Sequence, residues 1–196
     1  MDFDPAVTAP RDLYRAMIAS ICPRPIAFVT SLSRSGVVNL APFSFFNGVT
    51  SDPPVVSIAV ARKRDGTKKD TWRNAEETGE FVVNAVIPDL MDAVITGARE
   101  LPPEVSELEL SKEATEPSVR VRPPRLARSP LHFECALLKV VEVEDVGLLL
   151  GRVLLLHARD EVLTDGLPDP RKITFVGRLG GDLYCRVNDL FERRRE

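Results

Sequence analysis

Cysteine and histidine are scarce in this chain, and long apolar runs are missing. The three cysteines, Cys22, Cys135 and Cys185, are odd in number, far apart and outside any C-x-x-C pattern, which speaks against a disulfide framework and against a zinc site. They read as small buried hydrophobes in a reducing compartment. The two histidines, His132 and His157, sit in strand-like runs without metal-ligand spacing and without a Ser or Cys partner. Both read as structural, so neither a metal site nor a nucleophilic triad is expected. No stretch approaches the about 18 consecutive apolar residues of a membrane helix, and the opening Met1-Asp2-Phe3-Asp4-Pro5 lacks the basic and apolar regions of a secretory signal. A formal net charge of -3 offers no global attraction for nucleic acid. Arg193, Arg194 and Arg195, flanked by Glu192 and Glu196, read as a solvated end. There is no G-x-x-x-x-G-K-[ST] and no strand-bound G-x-G-x-x-G, and Gly177-x-x-Gly180-Gly181 comes too late and too isolated to serve as either. The expectation is a soluble cytoplasmic protein that engages neither membrane nor nucleic acid.

What is present suits one globular domain over 1–196, with 44% hydrophobic and 28% charged residues. Leu13, Met17 and Ile21, with Tyr14 and Ile18 beside them, define one face of a helix over 10–20. The segments 26–31 and 37–40 flank the turn-like Ser33-Arg34-Ser35-Gly36 and predict a hairpin. The nearly continuous apolar run 55–61 predicts a central strand covered on both faces. A short helix over 70–78, ending at Gly79 and opened by a weak Thr71-x-x-Asn74 cap, precedes a strand over 80–86. Another helix is expected over 88–99. The proline-broken stretch up to Pro130 is expected to be mainly loop, and a loop of that length has a function or is partly mobile, covering a site or reaching a partner. The segments 132–144 and 148–159, separated by Asp145-Val146-Gly147, predict a long antiparallel hairpin. The fold class is mainly β with short helices, and closing the sheet into a barrel removes its exposed edges.

Two stretches carry candidate chemistry. In 62–71 five basic residues gather between a strand and a helix start. Unpaired N–H groups and the partial positive charge of the helix end, together with Lys and Thr side chains, suit a phosphate group. The loop Ala41-Pro42-Phe43-Ser44-Phe45-Phe46-Asn47-Gly48 mixes aromatic with small and polar residues. It reads either as core packing of its phenylalanines or as a rest for a flat ligand with a polar edge.

Five segments in this order, Pro23-Arg24-Pro25-Ile26-Ala27, 39–47, Pro53-Pro54, Lys69-Asp70-Thr71 and Glu80-Phe81-Val82-Val83-Asn84, resemble the flavin reductase-like, flavoredoxin-type proteins. Gly151-Arg152-Val153 with His157, and 176–181 with Tyr184, resemble that family's C-terminal half, so the likeness covers nearly the whole chain. The resemblance implies an FMN-binding split β-barrel with Greek-key-like antiparallel strands, working as a homodimer with FMN near the subunit interface. It implies that Lys69, Asp70 and Thr71 take the phosphate end, with Arg62 as helper and Asp70 acting as a cap, while Ser44, Phe45, Phe46 and Asn47 take the ring and ribityl end. Arg24 and Arg178 are left between a flavin-side and a purely structural role. No catalytic side chain is required, because the flavin itself accepts the hydride. The implied activity is NAD(P)H-dependent flavin reduction, passing electrons to a small acceptor or to a partner such as a monooxygenase. The alternative is a non-enzymatic FMN-binding electron carrier.

Overall fold

The computed structural model of the chain describes residues 1–194; Arg195 and Glu196 of the charged end lie outside the described residues. The helices are α1 (Pro10–Ser20), α2 (Asp70–Thr78), α3 (Met91–Gly97) and α4 (Glu107–Ser111). The strands of the first half are β1 (Arg24–Pro25), β2 (Ala27–Leu32), β3 (Val38–Phe43), β4 (Phe46–Ser51), β5 (Pro54–Ala61) and β6 (Glu80–Ala85). In the second half, short pieces β7 (Thr115–Glu116) and β8 (Arg125–Leu126) precede the long β9 (Leu131–Val143) and β10 (Val146–Ala158). They are followed by β11 (Leu163–Thr164), β12 (Leu167–Pro168), β13 (Phe175–Arg178) and β14 (Tyr184–Val187). Among the described residues no helix is long and apolar enough to cross a membrane.

The large sheet is antiparallel throughout, in the order β3-β2-β6-β9-β10-β5-β4, and a smaller sheet runs β1-β13-β14. Its two edge strands, β3 and β4, are consecutive in the chain and separated only by Ser44 and Phe45. A sheet whose first and last strands are chain neighbours has to curl back on itself. Among the described residues no ladder joins β3 to β4, so the curl keeps a seam at Ser44 and Phe45. The result is a split β-barrel, and its seam falls on the aromatic loop.

Strand periodicity sorts the core. Ala27 and Val29 of β2, Ile58 and Val60 of β5, Phe81 and Val83 of β6, Cys135 of β9 and Leu149 of β10 form one buried cluster, into which α2 inserts Trp72 and Ala75. Gly147 and Gly151 of β10 make room for the two largest rings. A Cβ at Gly147 would lie 2.6 Å from the Trp72 ring, and one at Gly151 would lie 2.3 Å from Phe81. On the opposite face, Phe28 and Leu40 pack with Ala93 and Val94 of α3.

The strand buried on both faces is therefore β2, whose residues Ala27 to Ser31 are all buried. The run 55–61 is not central: β5 lies next to the sheet edge, between β10 and β4. Its inward residues Val56, Ile58 and Val60 alternate with the half-exposed Ser57 and Ala59, and alanine's apolar character hides that alternation in the sequence. Other boundaries shift in smaller ways. The helix expected over 88–99 opens with a tight 3₁₀ turn at Pro88–Leu90 and ends at Gly97. The proline-broken stretch holds α4 and the β7–β8 pair. The turn between β9 and β10 is only Glu144-Asp145, because Val146 and Gly147 already pair with Val143 and Glu142. Of the cysteines, Cys135 is buried, its thiol pushed up by desolvation, but Cys22 is exposed and Cys185 is half-buried.

Both histidines serve the outer face of the β9–β10 hairpin. The His132 ring lies 2.9 Å from the Leu126 carbonyl, and burial pushes its pKa below the usual imidazole value, so it is neutral at physiological pH. His157 lies 2.6 Å from Glu134, a fully buried carboxylate that also accepts from the backbone N–H groups of Val119 and Arg120. Burial alone would raise Glu134, but these donors outweigh it and leave the carboxyl below its ordinary 4.5. A group depressed on folding contributes stability above its unfolded value and loses it as pH falls through the folded one. Glu134→Gln is expected to cost about 1–3 kcal/mol at pH 7 and to flatten the loss of stability below about pH 4.5, as read by urea unfolding at a series of pH values.

Candidate functional site

The outer edge of β3 runs from a pocket of mixed charge, with Lys63 and Lys69 in its wall, to the seam of the barrel. At the first end, Asn39 donates to the hydroxyl of Thr71 (2.8 Å) and approaches Ser31 (3.3 Å), which also accepts from Asn74 (3.2 Å). These side chains are all buried, and they pin the start of α2 against β2 and β3. The first backbone bond at this helix start is Arg73 N–H to Lys69 C=O (3.0 Å), leaving the N–H groups of Asp70, Thr71 and Trp72 without intrahelical acceptors. Lys69 is the N-cap residue, its side chain half-buried and, among the described residues, in no ion pair. A cavity of about 140 Å³ opens here, lined by Asn39, Lys63, Lys69, Asp70, Thr71, Glu107, and Gly97 at the end of α3 with the residues that follow it to Leu101.

Pro42 and Phe43 carry the wall into a second hollow of about 210 Å³, bounded by Tyr14 and Ile18 of α1, Arg24, Ser44, Arg178 and Tyr184. Asn39 and Ser44 are five residue steps apart along extended chain, a span of about 17 Å. Ser44 then faces a third, open depression with Phe45, Phe46 and Asn47, against Met17 and Ile21 of α1.

The residues predicted from the sequence are divided by this geometry. Lys69, Asp70 and Thr71 meet in the first cavity, and Ser44 stands at the far end of the same trough. Phe45 is partly exposed beside the Arg24 guanidinium, 5.8 Å from the ring centroid, while Phe46 packs against the barrel core. The Asn47 side chain turns back onto the Gly48 N–H (2.9 Å). These three flank the trough beyond Ser44 and do not line its lysine-bearing end.

Arg62 does not line the trough. Arg62 and Lys68 form a bridge across the turn that follows β5, and both lie over the Trp72 ring, 4.9 and 4.7 Å from its centroid. Arg62 is further paired with Glu142 (2.9 Å). Side chains alternate along each arm of such a turn, so the neighbours Lys63 and Lys69 face the trough instead. Lys63, one position after Arg62, is thus the cation that lines the trough.

Asp70 is not a cap either. It is the first residue of α2, and its carboxylate pairs with Lys63 (2.8 Å) and lies 2.6 Å from an Arg73 nitrogen. Arg24, buried, donates to the carbonyls of Ile18, Ile21 and Leu179 and to Ser44 (3.3 Å). It therefore ties α1 and the loop after β13 to the seam. Arg178 lies over Tyr184 (4.3 Å) and donates to Gly181 C=O.

The seamed β-barrel thus carries lysines and a free helix start at one end of an edge-strand trough, and a serine-aromatic loop at the other. Comparison with known proteins narrows the class. The chain belongs to the family of the flavin reductase like domain, whose model matches residues 19–173. An uncharacterised protein of Halalkalibacterium halodurans is 40% identical over all of this chain and 96% of its own length. Among solved structures, nitrilotriacetate monooxygenase component B from Bacillus cereus is 36% identical with a TM-score of 0.93, covering 98% of each chain. The 2-nitrobenzoate 2-nitroreductase of Pseudomonas fluorescens is 29% identical with a TM-score of 0.91, covering 100% of this chain and 96% of its own. The chain is thus a flavin reductase-like protein of an oxidoreductase family.

Proposed function

We propose that this protein holds FMN noncovalently in the β3 trough and passes electrons from a reduced nicotinamide nucleotide to a small acceptor or a partner enzyme. The observation that carries the proposal is the unpaired Lys69 at the open start of α2, on a trough whose other end is Ser44. The donor set fits the group. The Thr71 hydroxyl accepts from Asn39 and keeps its own hydrogen to donate, and the free N–H groups of α2 add neutral donors for the same phosphate. Asp70 does not oppose an anion at full strength, since Lys63 and Arg73 already offset its charge. Lys63, Lys69 and Thr71 would hold the phosphate, and Ser44 with the neighbouring backbone would meet the ring end.

Bound FMN supplies the hydride-accepting centre, so the protein needs no acid, base or nucleophile of its own. The chain's task is to orient and to exclude water. Arg24 fixes Ser44, α1 shields the seam, and the α3 end closes the phosphate side. The two hollows, at about 140 and 210 Å³, are each smaller than the about 300 Å³ lower bound of sites that bury a ligand, and the depression of about 430 Å³ at Ser44 lies open to solvent. A second copy of the chain would complete the wall. Exposed Tyr14, Met17 and Ile21 of α1, Phe45 and Val49 at the seam, and Leu154 and Leu156 of β10 supply apolar surface for that homodimer. The likeness to a monooxygenase component supports a partner oxygenase as acceptor, and the likeness to a nitroreductase supports a small aromatic one.

Anaerobic titration of the FMN-loaded protein with NADH and with NADPH tests the reading. Bleaching of the flavin band near ~450 nm by either nucleotide, with the electrons reaching the cofactor's own ring, is the expected result. Flavin that is retained but bleached only by dithionite would replace the reductase by an electron carrier.

A further inference from the structure

Glu107 is a buried carboxyl that the proposed function leaves unexplained. It comes from the proline-broken stretch, 67 residues away from Leu40, whose backbone N–H it accepts at 3.3 Å. Ser106 beside it donates to the Val38 carbonyl, so α4 is docked side chain to backbone along the free edge of β3. This docking places Glu107, only 4% exposed, in the wall of the mixed-charge cavity.

The charged groups around it come from three elements. Lys63 and Lys69 enter from the turn after β5, Asp70 and Arg73 from α2, and Arg99 and Glu100 stand exposed at the rim beyond α3. Apart from Glu100 at the rim, two carboxylates therefore share one cavity, and among the described residues Asp70 has ion-pair partners whereas Glu107 has none. A phosphate entering this cavity would be the third negative group beside Asp70 and Glu107, against Lys63, Lys69 and the Arg73 that already pairs with Asp70. The arrangement relieves itself in one way without moving a chain segment, by protonation of the less solvated and less paired carboxyl.

Resting on the FMN reading, we infer that Glu107 takes up a proton from solvent when the flavin phosphate occupies the cavity, so that cofactor capture and release are proton-linked. Burial already holds the Glu107 carboxyl above the ordinary 4.5, with Asp70 pushing the same way against the backbone N–H donors and Lys63. Phosphate arrival pushes it further up. Between the free-state and bound-state values FMN affinity falls about tenfold per pH unit on account of this one group. The phosphate's own second ionisation, near about 6, adds a slope of its own.

Glu107→Gln keeps an acceptor for the Leu40 N–H and carries no charge. Titration of flavin fluorescence from pH 5 to 8.5, with FMN and with riboflavin, compares it with the wild-type chain. The two proteins are expected to bind FMN alike at pH 5 and to diverge as pH rises, the variant holding FMN tighter by about tenfold or more at pH 8. Riboflavin is expected to show no such divergence. Calorimetry of the wild-type protein at about pH 7.5, where the phosphate with its second ionisation near about 6 is already a dianion in solution, in two buffers of different ionisation enthalpy, is expected to show proton uptake with FMN that exceeds uptake with riboflavin, and it stands even where the variant folds poorly. Parallel FMN profiles, or equal proton counts for the two flavins, would overturn this inference and leave the FMN reading standing. No FMN binding by either protein at any pH would overturn both.

Discussion

Lys69→Glu is expected to weaken FMN binding by about two to three orders of magnitude while leaving the fold intact. The residue sits at the N-cap of α2, its side chain making no cap hydrogen bond and no ion pair among the described residues, so its replacement breaks no such polar contact. A charge-assisted hydrogen bond is worth about 1.5–3 kcal/mol, and reversing the charge adds repulsion beside Asp70, for a total near 3–4 kcal/mol at about 1.4 kcal/mol per factor of ten. The discriminating control is riboflavin, which lacks the phosphate and is expected to lose little. The same change at Lys68 is expected to alter FMN affinity by less than about threefold, because Lys68 faces Glu76 and Glu142 on the Trp72 side; an exposed pair of that kind is worth about 1 kcal/mol or less. A fluorescence-quenching titration of the two variants separates the faces of the turn directly.

Trp72→Ala is expected to be the most damaging single change to stability, at about 3–5 kcal/mol. The ring is fully buried in the barrel cluster, packed over Gly147, with Arg62 and Lys68 lying over it as cations. Deleting it opens a void that glycine on the opposite strand has no side chain to fill. For a chain of this size about 1 kcal/mol corresponds to about 2–4 °C, so thermal unfolding is expected to shift down by about 6–20 °C. The loss also loosens the α2 start, so FMN retention is expected to fall at temperatures where the variant is still folded.

The elements of this fold were legible where a local pattern decides them. The helix over 10–20, the hairpin around Ser33-Arg34-Ser35-Gly36 and the helix that ends at Gly79 follow from periodicity and turn residues, and the structure places them within a residue or two. Strand position within the sheet was harder to read. The run 55–61 looks doubly buried because Ala59 counts as apolar, whereas the strand that is covered on both faces, β2, includes the polar Thr30 and Ser31. Thr30 is satisfied by the Pro124 carbonyl, a partner 94 residues away.

The placement of the candidate residues was legible in part. Lys69 and Thr71, recognised by motif, meet in the first cavity, and Ser44 lines the neighbouring hollow. The choice of Arg62 over Lys63 turned on the parity of a short turn whose register only the Arg62–Lys68 bridge reveals. Glu107 gave no sequence signal at all, because its place in the cavity depends on docking against Leu40 across an irregular stretch. The proline-broken segment was nonetheless expected to cover a site, and α4 and the α3 end do line the trough.

The most direct test of the account is a crystal structure of the protein grown with FMN. The phosphate is expected at the start of α2, within hydrogen-bond distance of Thr71 and Lys69, with the ring directed along β3 toward Ser44. A phosphate bound on the Arg62 and Lys68 side of the turn, or a flavin lying outside the β3 trough, would contradict it.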